Sequence, residues 1–419
     1  MIKCFKILAL TVFIVFFGYN SNCQTKSVLF LGNSYTYVNN LPVLTANLAL
    51  SVGDTLIYDN NTPGGYTLEG HSTNANSLNK IMQGDWDFVV LQEQSQRPSF
   101  PIGQVQNDVF PYATFLDSVI NANNTCGETM FYMTWGRKNG DASNCVAWPP
   151  VCTYQGMDSL LHLRYMQMAN DNDAVVSPVG ALWNYLRINH PSIELYSPDE
   201  SHPSVEGSYA AACSFYTTIF RKDPTFITDI HTLDPFDAAN IRTAARIVVY
   251  DSLLNWNIGA YDLTSSFNIS QVSGFTYQFT NTSQNAINYS WNINSTLDTS
   301  ANPTFTFSGP GIYTIDLTNT NECDTITSSQ TITVTATSVD NGIDDNIFSS
   351  YPNPVKNKLY FNNIITSAIV NIYSQSGKLI HTTELVNTKT LDLELLHKGA
   401  YILETLSENK IYRMKIIKE

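Results

Sequence analysis

The sequence predicts an α/β protein: three layers, α/β/α, around a parallel five-stranded sheet, followed by two small all-β sandwich domains. Three observations carry this. Between residues 27 and 261 short apolar runs alternate with segments of helical periodicity, the pattern of a parallel sheet with helical crossovers. The run Asp87-Phe88-Val89-Val90-Leu91-Gln92 has no polar–apolar alternation, as befits a strand covered on both faces. Near Leu263 the character changes to Ser, Thr and Asn with few helix formers.

The first strand is expected at 27–31, a β-branched and aromatic run that ends in Gly32-Asn33-Ser34. Pro42 opens a helical stretch through Leu44, Leu48 and Leu50, which Gly53 closes. Further strands are expected at 55–58, 87–92, 130–135 and 174–177, with 193–196 as an extra edge strand. Helical segments fall near 107–121, 156–169 and 179–188, and 205–220 and 238–254 are the closing helices. Ser204 is placed to cap the first of these two. After 263, strand-like runs recur at 275–281, 289–293, 304–307, 313–318 and 330–334, with Gly309-Pro310-Gly311 as a turn. That pattern fits a small antiparallel sandwich. Residues 338–350 are polar and acidic, and short strands resume from 351 to the basic tail at 411–419.

The chain has 419 residues, enough for two or three domains. Hydrophobic residues make up 43% and charged residues 14%, which supports packed cores and excludes a disordered chain. The formal net charge of −14 repels nucleic acid and anionic membrane surfaces. Lys3 and Lys6 followed by an apolar stretch over 8–17 read as a signal peptide, too short for a membrane span. Cleavage is expected near Cys23 and Gln24, giving a leader over 1–23 and no transmembrane span afterwards. Lipidation at Cys23 is disfavoured, because Asn20-Ser21-Asn22 lacks small apolar residues. The mature chain keeps Cys126, Cys145, Cys152, Cys213 and Cys323 without a zinc-binding spacing, so neither a metal nor another cofactor is expected. In an oxidising compartment, Cys145 with Cys152 would close a short loop. Cys126 with Cys213 is the second pairing considered, which leaves Cys323 alone.

Four segments carry candidate chemistry. Ser34 directly follows a strand and is flanked by Gly32, so its hydroxyl can stand clear of the sheet edge, where ligands of open α/β sheets bind. It needs a base to become a nucleophile. Asp199 lies three residues before His202 in Ser197-Pro198-Asp199-Glu200-Ser201-His202-Pro203, a spacing at which a carboxylate can orient an imidazole. Gly64-Gly65-Tyr66-Thr67 offers an unshielded backbone N–H to a developing oxyanion. Gln92-Glu93-Gln94-Ser95-Gln96-Arg97 offers amide donors, and the alternative reading makes Glu93 and Arg97 a structural ion pair.

Together, in this order, the four segments resemble the SGNH hydrolase superfamily of GDSL-like esterases, over about residues 26–255. The resemblance implies a flavodoxin-like catalytic domain, assigned to 24–262, with Ser34 as nucleophile and Asp199 and His202 completing a triad. It makes Gly65 an oxyanion donor, and Gly207 falls in the usual place downstream. The third block departs from the family's Gly-x-Asn-Asp. Alignment of the strand puts Gln96 at the Asn position, with Gln92 or Gln94 as alternatives. The implied activity is ester hydrolysis through an acyl-enzyme, and an acylated polysaccharide is the first choice of substrate. A lipid or short-chain ester is the alternative within the enzyme class, and an inactive glycan-binding or adhesion protein is the rival outside it.

Tyr351-Pro352-Asn353-Pro354-Val355, Gly377-Lys378 and Gly399-Ala400-Tyr401 resemble the type IX secretion sorting domain of Bacteroidetes, assigned to 351–419 after a linker at 337–350. That resemblance implies the type IX export machinery as partner and a secreted or outer-membrane surface-attached protein. Residues 267–336, with Tyr289-Ser290-Trp291-Asn292 followed by Phe305, Gly311 and Tyr313, resemble a PKD-like or immunoglobulin-like spacer.

Overall fold

The structure is a computed structural model that describes residues 23–335, 349–407 and 410–419. The expected leader and the linker lie almost wholly outside the described residues. The first part of the chain is built on a parallel sheet of five strands: β1 (Thr25–Leu31), β2 (Thr55–Asn61), β3 (Phe88–Leu91), β4 (Glu128–Tyr132) and β5 (Val175–Ser177), in the order β2-β1-β3-β4-β5. All four residues of β3 are buried, as are Val28 to Leu31 of β1. Helices cover both faces of such strands, and this is why their sequences read as unbroken apolar runs.

The helices are α1 (Ser34–Tyr37), α2 (Leu41–Leu50), α3 (Leu68–Thr73), α4 (Ala75–Ile81), α5 (Ile102–Asp108), α6 (Phe110–Asn123), α7 (Tyr154–Asp171), α8 (Val179–Asn189), α9 (Val205–Phe220) and α10 (Pro235–Val248). Ser204 caps α9, its hydroxyl accepting from the Gly207 N–H at 3.0 Å. Fourteen of the residues of α9, from Gly207 to Phe220, are buried, so it packs as an inner helix and not as an amphipathic cover. The short helices α3, α4 and α5 have no counterpart in the sequence reading. Each is only six or seven residues long, too short to display helical periodicity.

Two expectations are corrected. Residues 193–196 form no edge strand. A single bridge between Tyr196 and Pro203 instead closes the loop that carries Asp199 and His202. Cys126 pairs with Cys323, not with Cys213, while Cys145 does pair with Cys152. Cys213 is a free, fully buried thiol on α9. A side chain held in the helix core cannot reach the exposed loop of Cys126.

Further along, β6 (Phe267–Ser273), β7 (Thr276–Asn281), β8 (Asn288–Ile293), β9 (Thr296–Asp298), β10 (Thr304–Thr306), β11 (Gly311–Thr320) and β12 (Thr325–Val334) form two sheets, ordered β10-β7-β6 and β12-β11-β8-β9. By compactness the chain divides into two units. Met1–Asn268, Asn281–Ala301 and Asp316–Ser329 make one, and Ile269–Thr280, Asn302–Ile315 and Gln330–Glu419 the other. The second unit ends in β13 (Ser350–Tyr351), β14 (Lys358–Ser374), β15 (Leu379–Asp392), β16 (Gly399–Ser407) and β17 (Lys410–Lys418), paired antiparallel. Its core holds Val355, Phe361, Val370, Ile372, Leu403 and Ile416. No helix among the described residues is long and apolar enough to cross a membrane.

Candidate active site

Ser34 opens α1, immediately beyond the C-terminal end of β1. A close approach at Gly32 and four hydrogen bonds hold that turn. Gly32 is required by close approach: a Cβ there would lie 2.4 Å from Thr36 Oγ1 and 2.7 Å from Gln92 Oε1. The Asn33 N–H and the Thr36 hydroxyl both donate to Gln92 Oε1 at 2.9 Å. Asn33 caps the helix by accepting from the Tyr35 N–H, and its amide donates to the Tyr66 carbonyl at 2.8 Å. Ser34 therefore stands at the first helical position, where a backbone N–H has no partner within the helix and the helix end favours negative charge.

Below this turn lies His71, fully buried. Its Nε2 donates to the Gly32 carbonyl at 3.0 Å and its Nδ1 accepts from the Ser77 hydroxyl at 2.7 Å. Burial lowers its pKa to about 4, so it stays neutral.

The loop after α8 brings in the partners of Ser34. The Ser34 hydroxyl lies 2.8 Å from His202 Nε2. The other ring nitrogen, Nδ1, donates to Asp199 Oδ2. Asp199 Oδ1 also accepts the backbone N–H groups of His202 (2.9 Å) and Ser201 (3.1 Å). Burial pushes the Asp199 carboxyl up, but these bonds outweigh it and hold the group below its ordinary value. Asp199, His202 and Ser34, from opposite ends of the domain's sequence, thus form one continuous relay. Glu200, at φ +61, makes the reversal that places Asp199 and His202 on the same side.

Aromatic rings brace the relay. Tyr35 stacks on Trp135 at 4.7 Å, and Trp135 on Trp183 at 3.7 Å. Tyr35 packs edge-on against His202, and its hydroxyl shares a 2.6 Å hydrogen bond with Ser201 Oγ. Trp135 Nε1 donates to the Ser201 carbonyl at 3.1 Å. In sequence Trp135 is only the last residue of the strand expected at 130–135, and nothing in its spacing tied it to Ser34.

A cleft of about 240 Å³ opens at the relay, lined by Asn33, Ser34, Tyr35, Gly65, Gln94, Ser95, Arg137, Ser201 and His202. Gly65 faces it from a turn closed by the Tyr66 N–H on the Pro63 carbonyl, and its φ of +69 is one that a side chain rarely tolerates. The three candidate amides part company. Gln92 is fully buried; it supports the Ser34 turn with its oxygen, and its Nε2 donates to the Glu93 carbonyl. Gln96 is not among the cleft residues: its Nε2 donates to Asp141 Oδ2 at 2.6 Å. Gln94 does line the cleft. Its Oε1 accepts from the Gln96 and Arg97 N–H groups, and its Nε2 makes a 3.2 Å contact to Gln96 Oε1.

The ion pair considered between Glu93 and Arg97 does not form. Arg97 bonds to Glu69 at 3.1 Å. Glu93, fully buried, accepts from the N–H groups of Gln94 and Leu68, and burial pushes its carboxyl up to about 8. Among the described residues no cluster of His, Cys, Asp and Glu could hold a metal ion.

The family model for the secretion system C-terminal sorting domain matches residues 349–419. No curated protein matches the chain. Among solved structures the chain is similar to a DUF4886 family protein from Bacteroides uniformis, at 17% identity over 55% of this chain and 95% of that one, with a TM-score of 0.47. It is similar to the psychrotrophic esterase EstA from Pseudoalteromonas sp. at 14% identity, over 47% and 97% of the two chains, with a TM-score of 0.34. The PKD1 domain from Vibrio cholerae metalloprotease PrtV is similar at 29% identity, over 18% and 98%, with a TM-score of 0.17. Residues 349–419 are thus a secretion system C-terminal sorting domain, which directs the chain through type IX secretion to the extracellular space or the outer-membrane surface.

Proposed function

We propose that this protein is a secreted serine esterase that removes small acyl groups, acetyl first among them, from a carbohydrate. The observation that carries the reading is the relay from Asp199 through His202 Nδ1 and Nε2 to the Ser34 hydroxyl at 2.8 Å. In the proposed reaction His202 takes the Ser34 proton as Oγ attacks the ester carbonyl. Asp199 holds the imidazole in the tautomer that leaves Nε2 free to accept, and it stabilises the charged ring. The tetrahedral oxyanion is held by the N–H of Ser34, the N–H of Gly65 and, turned from Gln96, the Nε2 of Gln94. Each such donor lowers the barrier by about 3 kcal/mol. His202 then protonates the departing alcohol. Water, deprotonated by the same ring, releases the acid and restores Ser34.

The cleft supports the small acyl group. It measures about 240 Å³, and no aliphatic side chain is among its lining residues. A long acyl chain needs an apolar channel of several hundred Å³. The relay is partly open to solvent, with the His202 and Asp199 side chains 34% and 49% exposed, so an ester on a polymer can approach. The intact relay speaks against a purely glycan-binding protein.

The test is labelling by a fluorophosphonate probe, with hydrolysis measured on acetylated xylan and on p-nitrophenyl esters of increasing chain length. Labelling should map to Ser34 and vanish in Ser34→Ala, and activity should fall with chain length. Unchanged hydrolysis by Ser34→Ala would sink the mechanism. A preference for long chains would sink the carbohydrate reading.

A further inference from the structure

Acyl transfer through Ser34 needs no cation besides His202, yet Arg137 lines the same cleft. We infer that Arg137 recognises a carboxylate on the alcohol part of the substrate, so that the ester presented to Ser34 sits on an acidic sugar, a uronate. The inference rests on the esterase reading above.

Arg137 is held rigidly. It follows Trp135, which is clamped between Tyr35 and Trp183. The Gly136 N–H donates to Asp158 Oδ1 at 3.2 Å, and the Gly136 carbonyl accepts from the Tyr196 hydroxyl at 2.7 Å. The guanidinium gives one bond, Nη1 to Asp141 Oδ1 at 3.2 Å. Arg137 is the ion-pair partner of Asp141, whose side chain is fully buried. Ser143 N–H, Ser143 Oγ, Asn144 Nδ2 and Gln96 Nε2 also donate to its carboxylate. Arg137 Nε is enclosed by protein and out of reach of a ligand, whereas Nη2 makes no protein hydrogen bond among the described residues, so the donors open to the cleft are those of the two Nη atoms. A planar fork fixed in place with unused donors matches a planar carboxylate.

A dianionic phosphate fits less well. One guanidinium would leave half its charge uncompensated in a region that already holds Asp141 and Asp199. The size of the cleft sets the range. Arg137 and Ser34 share about 240 Å³, so the carboxylate belongs to the esterified sugar or its immediate neighbour. An acetyl group is uncharged, which assigns the anion to the alcohol side. The net charge of −14 opposes an anionic polymer at long range, and salt screens that opposition. Recognition must then come from a local contact such as this one.

The experiment compares kcat/KM on acetylated polygalacturonate, on the same polymer with its carboxyls methyl-esterified, and on p-nitrophenyl acetate as a neutral reference. The acid polymer should be favoured over its methyl ester about tenfold, the discrimination that one charge-assisted contact supplies. In Arg137→Gln that ratio should fall to about one, with Arg137→Lys in between. A wild-type ratio of one or less overturns the inference and leaves the esterase reading standing. So does a ratio that survives in Arg137→Gln, or a preference for a sulfated acetylated galactan over the uronate. Calorimetric binding of galacturonate against galactose to Ser34→Ala separates the two ideas. Galacturonate bound through Arg137 by a protein that cleaves none of the three esters would sustain the anion site and overturn the esterase. No selectivity for galacturonate would overturn the site.

Discussion

Asp199 earns its place in the relay through geometry more than charge. It accepts from the His202 ring and from two backbone N–H groups, so it fixes both the ring and the loop. In Asp199→Asn the amide can present an N–H to Nδ1, which would force the wrong tautomer on the ring. We expect kcat to drop by about 10³–10⁴-fold with little change in melting temperature, checked by steady-state kinetics beside thermal denaturation. The three glutamines divide in a similar way. Gln94→Glu keeps the oxygen that accepts from Gln96 and Arg97 and removes the donor, so kcat should fall at least about 10²-fold. Gln92→Ala should act on stability, because Asn33 and Thr36 lose their buried acceptor, at about 1–3 kcal/mol. Denaturant titration and kinetics on both variants separate the roles, and a Gln94→Glu enzyme with full activity would remove Gln94 from the oxyanion site. Ser34, Asp199, His202 and Gly65 were legible because each stands beside a strand end or a Pro or Gly that marks its turn. The work of Gln92 was not, because an amide that serves its neighbour's backbone looks in sequence like one that serves a ligand.

At the scale of elements, two buried titratable groups set the response of the β1–α1 and β3 junctions to pH. His71 has its pKa lowered to about 4 from an ordinary 6.5. The unfolded chain therefore binds a proton between those values that the folded one does not. Stability is full above 6.5 and is lost as pH falls towards 4, by about 3 kcal/mol. Glu93 runs the other way, raised to about 8 from 4.5. The folded protein holds that proton where the unfolded chain has released it, so stability is full below 4.5 and declines as pH rises towards 8. The two slopes oppose each other between 4.5 and 6.5. We expect a broad maximum there, with a fall on the alkaline side that Glu93→Gln removes. Melting temperature against pH for the two proteins checks this, and an unaltered alkaline limb in Glu93→Gln would contradict it. The strands were readable as elements because burial on both faces leaves an apolar run, whereas 193–196 was misread. Ile193, Leu195 and Tyr196 are buried as a strand would be, yet Leu195 and Tyr196 pair only with Ser204 and Pro203, closing the base of the Asp199–His202 loop.

Across the whole molecule the sequence-level reading of compartment and the disulfides bear on each other. The sorting domain at 349–419 sends the chain to an oxidising space, and there the Cys126–Cys323 bond spans 197 residues. It ties the loop between α6 and β4 to the turn between β11 and β12. Composition could count these cysteines but not pair them, since pairing depends on how two separately folding segments come to meet. In the chain-entropy account, closing a loop this long restricts the unfolded ensemble by about 5 kcal/mol, and strain or residual structure reduces that. The short Cys145–Cys152 loop, with a separation of 7, restricts it less. Cys323→Ser should therefore lower the melting temperature by several degrees, and more than Cys152→Ser does. Dithiothreitol should bring the wild type down to or below the Cys323→Ser value, while its added effect on Cys323→Ser should be small. Equal effects from the two substitutions would assign the stabilisation to something other than loop length. Esterase activity at 25 °C should survive Cys323→Ser, because every residue of the relay and the cleft lies on the α/β sheet's own loops and helices, none of them on the β11–β12 turn.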